Sequence, residues 1–197
     1  MRVRRSTALA GGLILGAALV TTTACGSSSM VPESLSSAVS NQIEAVTNEL
    51  IPDDAMFLEM MIPHHEQAVE MSNLAKTNGA SPEVLALATS IANSQGPEIT
   101  QMQGLLEAAG ALGEMGQHMG HMDGLLSEEQ MSELKAAQGA DFDRLYLEGM
   151  IMHHEGAVTM AQNAIDSGGN AAVIALAKQQ VAVQTAEIAQ MKQMLGQ

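Results

Sequence analysis

Leu58-Glu59-Met60-Met61-Ile62-Pro63-His64-His65-Glu66 returns 89 residues later as Leu147-Glu148-Gly149-Met150-Ile151-Met152-His153-His154-Glu155. The match runs without a gap from Asp54 over Asp143 to Leu106 over Leu195, with 23 identities in 53 positions. Identity on that scale at one fixed offset marks a duplicated structural unit. Each copy reads as two helices. Asp53 or Asp54 is expected to cap the first, which runs to about Asn78 and stops at Gly79. Ser81-Pro82-Glu83 opens the next with a cap, a proline at the first helical position and an acidic first turn. Gly168-Gly169-Asn170 holds the same place in the second copy. Two helical hairpins with short loops predict an all-α protein, an antiparallel four-helix bundle. The plan is a hairpin over 53–109, a connector over 110–126 and a hairpin over 127–197. Ser127-Glu128-Glu129-Gln130 is a capping-box pattern, so a short extra helix leads the second hairpin.

A helical wheel with steps of about 100° shows what each helix turns inward. Around Met61 the arc holds Phe57, Leu58, Ala68 and Ala75, while Glu59, Glu66, Gln67, Glu70 and Asn73 fill the opposite side. His64 and His65 straddle Met61 inside the apolar arc, and Met150, His153 and His154 repeat the arrangement. The second helix of each hairpin points Gln95, Glu98 and Met102 inward among Val84, Ala88, Ile91, Ile99 and Leu106. Gln184, Glu187 and Met191 are the same residue types in the second copy. Met56, Met71, Met131 and Met160 read as core filler, and Glu66 and Glu155 as outer-face charges.

Buried imidazoles and carboxylates are costly without partners. Two readings account for them. One is a hydrogen-bonded His–Glu–Gln network that fixes helix register. The other is a metal centre built from Met61, His64, His65, Glu98 and Met102 with Met150, His153, His154, Glu187 and Met191. The doubling of the whole set favours the second. The connector adds His118, Met119, His121 and Met122 in a glycine-rich stretch without apolar periodicity, where methionine has little packing to do. It reads either as a loop of biased composition or as a ligand arm. Thioether and imidazole together suit copper, Cu(I) above all, better than Mg, Ca or Mn, with another transition metal as the alternative.

Composition narrows the partners. The chain has 197 residues, which suits one compact domain with appendages. Its net charge of −14 disfavours nucleic-acid phosphate as a partner. The only aromatics outside histidine are Phe57, Phe142 and Tyr146, too few for a base- or sugar-stacking surface. The single cysteine, Cys25, excludes an intramolecular disulfide and any cysteine-cluster metal site.

Residues 1–24 read as a secretion signal, with Arg2, Arg4 and Arg5 ahead of a short apolar stretch from Leu9 to Val20. Thr22-Thr23-Ala24-Cys25-Gly26-Ser27 then resembles a bacterial lipoprotein signal, with Thr22 where Leu or Val is usual. That resemblance implies lipidation at Cys25, a flexible tether over 25–52 and attachment to the outer face of the cell membrane. An ordinary secretory signal with a chance cysteine is the alternative, and the Arg4-Arg5 pair leaves twin-arginine export open.

The doubled Met-Ile-x-His-His-Glu motif at Met61 and Met150, with Gln-x-x-Glu-Ile-x-x-Met at Gln95 and Gln184, resembles the bacterial family called domain of unknown function 305. The resemblance spans residues 53–197 and implies a ferritin-like helical bundle outside the cytoplasm. It also implies a link to copper tolerance, as copper-binding proteins or metallochaperones. No Glu-x-x-His pair of the ferritin-like oxidases occurs here, and each unit offers one inward Glu. The expectation is therefore a lipid-anchored protein that binds copper, as Cu(I) or Cu(II), rather than an enzyme, serving buffering, tolerance or delivery, with a copper-donor or acceptor protein as partner. A ferritin-like metal-dependent oxidase or peroxidase is the alternative, and a metal-free structural bundle the third reading.

Overall fold

The computed structural model describes residues 49–111 and 122–197. The signal, Cys25, most of the tether, and His118, Met119 and His121 lie outside the described residues. Among the described residues there are five helices and no strand: α1 (Pro52–Leu74), α2 (Pro82–Ala108), α3 (Glu128–Ala136), α4 (Gly139–Ser167) and α5 (Ala171–Met194). Helix α1 pairs with α2 and α4 with α5, α1 lies against α4, and α3 rests on both α1 and α4. None of these helices is long and apolar enough to cross a membrane.

Local chemistry sets most helix ends. The Ser81 hydroxyl accepts from Val84 N at 3.4 Å and opens α2. Asn170 does the same for α5, accepting from Ala172 N at 2.9 Å. The capping box at α3 forms as expected: Gln130 N donates to Ser127 Oγ at 3.2 Å, and Ser127 N donates to Gln130 Oε1 at 2.9 Å. Asn78 Nδ2 reaches the carbonyls of Leu134, Lys135 and Ala137, which pins the other end of α3.

The start of α1 departs from expectation. Ile51 is the N-cap, and neither Asp53 nor Asp54 holds that position. Asp54 sits in the first turn, fully buried, and accepts from Ile51 N at 3.2 Å. It also accepts from Gly169 N at 3.1 Å and Asn170 N at 3.0 Å, in the loop of the other hairpin. Asp143, its counterpart at the start of α4, accepts from Ser81 N at 3.1 Å in the loop of the first hairpin. Each hairpin thus satisfies loop amides of the other. Because the start of each helix meets the far end of its neighbour, α1 and α4 run antiparallel.

The core is two apolar clusters with a polar layer between them. Met71, Val84, Leu87 and Ile91 pack with Phe142, Tyr146 and Leu147 in one. Leu58, Met61, Met102 and Leu106 pack with Ala161, Val173 and Leu176 in the other. Along each of the four long helices two buried polar residues fall between members of the two clusters: His64 and His65, Gln95 and Glu98, His153 and His154, Gln180 and Gln184. Fully burying one large apolar side chain stabilises by ~1.5–3 kcal/mol. An unpartnered buried polar group costs ~1–3 kcal/mol. The layer therefore offsets part of what the clusters contribute. Met71 and Met131 are buried as expected and Met160 partly so, but Met56 is 41% exposed and is not core filler. It lies on α1 within a shallow surface groove shared with Met60 and Met160.

Candidate metal centre

The wheel places both histidines of each pair inward, and all four are fully buried. The two members of a pair have different fates. His65 Nε2 lies 2.9 Å from Glu98 Oε2, and His154 Nε2 lies 2.8 Å from Glu187 Oε2. His64 and His153 have no carboxylate partner among the described residues. They meet each other where α1 crosses α4, ring centroids 3.8 Å apart and tilted by 46°. His64 Nε2 lies 3.2 Å from the carbonyl oxygen of Asp123.

Carbonyl and carboxylate oxygens accept, so the Nε2 atoms of His64, His65 and His154 carry the proton. In a neutral imidazole the other nitrogen then holds a lone pair. Among the described residues, the Nδ1 atoms of His64, His65 and His154 are buried without a hydrogen-bond partner, and in His153 neither nitrogen has one of ordinary geometry. Burial, reinforced by the neighbouring His65, holds His64 down from 6.5 to about 3. Burial, then His64, His154 and His65, holds His153 well below its ordinary value. Both rings are therefore neutral at pH 7, the state that ligates metals.

The four inward thioethers do not gather in one place. Met61 and Met102 are fully buried in one apolar cluster, and Met150 and Met191 in the other. Met122 is half-buried in the last part of the connector. Glu66 and Glu155 are exposed as expected, and Lys192 Nζ donates to Glu155 at 2.8 Å. Among the described residues, no three His, Cys, Asp or Glu side chains form a ready-made ligand cage. What the chain provides is unpartnered imidazole nitrogens flanked by thioether-bearing clusters.

Two contributors carry weak or no sequence signals. Gln180 Nε2 donates to Glu98 Oε2 at 3.0 Å, and Gln180 is buried. It shares the inward stripe with Gln184, but its repeat partner is Ile91, so a comparison restricted to identities passes over it. The Asp123 carbonyl is a backbone group in a stretch without periodicity and leaves no trace in side-chain pattern. A related asymmetry pairs the Tyr146 and Ser72 hydroxyls at 3.0 Å, where the repeat-equivalent residues are Phe57 and Ala161.

Residues 54–195 match the family model described as domain of unknown function (DUF305). A DUF305 protein from Streptomyces coelicolor is 30% identical with a TM-score of 0.69, over 76% of this chain and 94% of that one. CopM in its Cu(II)-bound form is 34% identical with a TM-score of 0.62, over 72% of this chain and 94% of that one. CopM is also similar in a Cu(I)-bound form, at 33% identity and a TM-score of 0.60 with the same coverage. Its Ag-bound form is 31% identical with a TM-score of 0.58, over 72% of this chain and 93% of that one. Among curated proteins, the uncharacterized protein L153 of Acanthamoeba polyphaga mimivirus is 35% identical over 65 residues. The alignment takes in 33% of this chain and 43% of L153, so less than half of that relative's length is matched. The duplicated histidine bundle and the match over nearly all of its described residues lead to one conclusion: the chain belongs to the DUF305 family.

Proposed function

We propose that this chain is a lipid-anchored, extracytoplasmic protein that holds a soft monovalent metal ion, copper foremost, for buffering or for exchange with a donor or acceptor protein. One observation carries the reading: four buried imidazoles whose Nδ1 atoms have no partner among the described residues, three of them with Nε2 tied to an acceptor. Tying one ring nitrogen orients the ring and presents the other to a metal. Similarity to CopM, which has Cu(I)-, Cu(II)- and Ag-bound forms, supports the choice of ion. Neutral imidazole and thioether ligands suit Cu(I) and Ag(I). The chemistry is ligand exchange, with no substrate bond broken. Among the described residues, the carboxylates at the layer are Glu98 and Glu187, each already bonded to an imidazole, which favours a carrier over a carboxylate-bridged oxidase.

The test uses full-length protein lacking residues 115–121, so that the connector ligands are absent. His65→Gln/His154→Gln keeps a donor for each glutamate and removes one ligand from each pair. Competition with a Cu(I) chelator should show the affinity falling at least 100-fold against the same deletion with its histidines intact. Equal affinities would mean that the histidine layer is only a scaffold. The anchor rests on Ala24-Cys25-Gly26. Cys25→Ala should remove the acyl mass and shift the protein from the membrane to the soluble envelope fraction. Continued membrane retention without an acyl group would rule the lipid anchor out.

A further inference from the structure

The two histidine pairs are duplicated in sequence but not in surroundings, and the difference comes from one short strap, Asp123 to Leu126. The strap touches repeat-equivalent positions of both hairpins, Gln67 on α1 and Gly156 on α4, and the two differ where they meet it. Gln67 grips it from α1: Gln67 Nε2 donates to Leu126 O at 3.0 Å, and Leu126 N donates to Gln67 Oε1 at 2.8 Å. The repeat-equivalent of Gln67 is Gly156, and a Cβ there would run into the Asp123 carbonyl. Gly124 adopts φ +88°, and a Cβ on it would stand 2.8 Å from Met152 O and 3.0 Å from His153 O. Leu126 seats over Gly149, whose repeat-equivalent is Met60, with its Cδ2 3.1 Å from where a Cβ would be. One copy has a long amide that ties the strap, and the other has two glycines that make room for it.

The Asp123 carbonyl, positioned by this wedge, is the acceptor for His64 Nε2. His153, the matching residue, makes no hydrogen bond of ordinary geometry on either nitrogen among the described residues; only the His64 backbone carbonyl lies near it, too poorly placed to hold its proton firmly. In the first pair the Nε2 atoms of both rings face an acceptor, His64 through Asp123 and His65 through Glu98, so both rings are held in place with Nδ1 turned away from it. Gln180 adds a second bond to Glu98, where Ile91 at the matching position has nothing to donate to Glu187. In the second pair only His154 has an acceptor of ordinary geometry, and the His153 proton is held far less firmly than that of His64.

We infer that the strap is a positioning element of the metal site: by fixing the tautomer and orientation of His64, it makes the first pair the higher-affinity half-site and leaves the second to fill later. This rests on the metal-binding reading above. Outer groups that orient a ligating histidine are typically worth about 10–100-fold in metal affinity, which sets the expected gap between the two pairs.

Long-range ¹H–¹⁵N NMR of the histidine rings, on the full chain, tests this with Ag(I) as the probe. In the apo protein His64 should be a single Nε2–H tautomer and His153 a mixture. Added Ag(I) should move His64 and His65 in the first equivalent and His153 and His154 only after it. Gly156→Ala pushes the strap off. Gln67→Ala releases it without adding bulk, and serves if the first variant fails to fold. Either change should turn His64 into a tautomer mixture and lower the affinity for the first ion by about 10–100-fold, so that both pairs fill together. Filling order and affinity unchanged despite a mixed His64 tautomer would overturn the inference while leaving the metal reading intact. No histidine shift in the wild type at any Ag(I) level would overturn both.

Discussion

Lowering the pH of the metal-free protein from 7 to 5 is expected to destabilise it by about 4 kcal/mol, through His64 and His153 alone. In the unfolded chain each ring titrates near its ordinary 6.5, whereas in the fold burial keeps His64 neutral down to about 3 and holds His153 well below normal. Above pH 6.5 neither state binds the proton, and the fold has its full stability. Below it the unfolded chain takes up two protons that the native state refuses, so stability falls with pH. The slope approaches ~1.4 kcal/mol per pH unit for each ring. The fall continues until about pH 3, where His64 itself protonates in the fold. Small domains have a total stability of roughly 5–15 kcal/mol, so this loss is a large share. Urea unfolding at pH 7, 6 and 5 measures it, with His64→Leu/His153→Leu alongside. The double variant should lose most of the acid slope and keep or gain stability at pH 7, because among the described residues the two rings together make one hydrogen bond of ordinary geometry, from His64 to the Asp123 carbonyl. The same slope in both proteins would show that other groups carry the acid response. Added Ag(I) should stabilise the wild type by ~4 kcal/mol at a thousandfold excess over Kd, and the double variant far less.

The neighbouring positions should behave in the opposite way. His154→Leu is expected to cost about 3–5 kcal/mol, because it leaves the Glu187 carboxylate, 12% exposed, without its imidazole. His65→Leu should cost less, since Glu98 keeps the Gln180 amide at 3.0 Å. Replacing both members, as in His154→Leu/Glu187→Leu, should recover most of the loss, since an apolar pair leaves no charge behind. Chemical unfolding of the three apo variants orders them. A His154→Leu cost below about 1 kcal/mol would mean that the carboxylate finds water or another donor, and that the pair is not a structural bond. One step along the helix thus separates a histidine that holds the bundle together from one that only weighs on it.

The helices, the hairpin plan, the α3 capping box and the inward direction of every paired histidine and glutamate follow from periodicity and capping residues. Periodicity gives a residue's direction from its own axis, and stops there. It places His64 and His65 in the same arc, but which of them meets Glu98 depends on where α2 lies, and that is a tertiary fact. For the same reason Asp54 reads as a local cap when it serves a loop 115 residues away. The Asp123 carbonyl is invisible in the sequence because the functional atom belongs to the backbone. Met56 reads as core because an apolar side chain on a core-facing helix is counted inward until its neighbours are known.

The exchanged aspartates mean that neither repeat is a finished object. Ser81 N in one loop, and Gly169 N and Asn170 N in the other, find their acceptors only across the boundary between the hairpins. A lone hairpin would carry those amides without their aspartate, and Asp54 would keep only Ile51 N of its three backbone partners. The natural partner for such a half is a second copy of itself, turned by a half-rotation, so that each aspartate reaches into the other's loop. Joining two copies in one polypeptide keeps that handshake and releases the halves from having to be alike. In this chain that freedom is in use: a single strap touches both halves, a glutamine stands where its twin is a glycine, and His64 has the Asp123 carbonyl at 3.2 Å where His153 has no such bond.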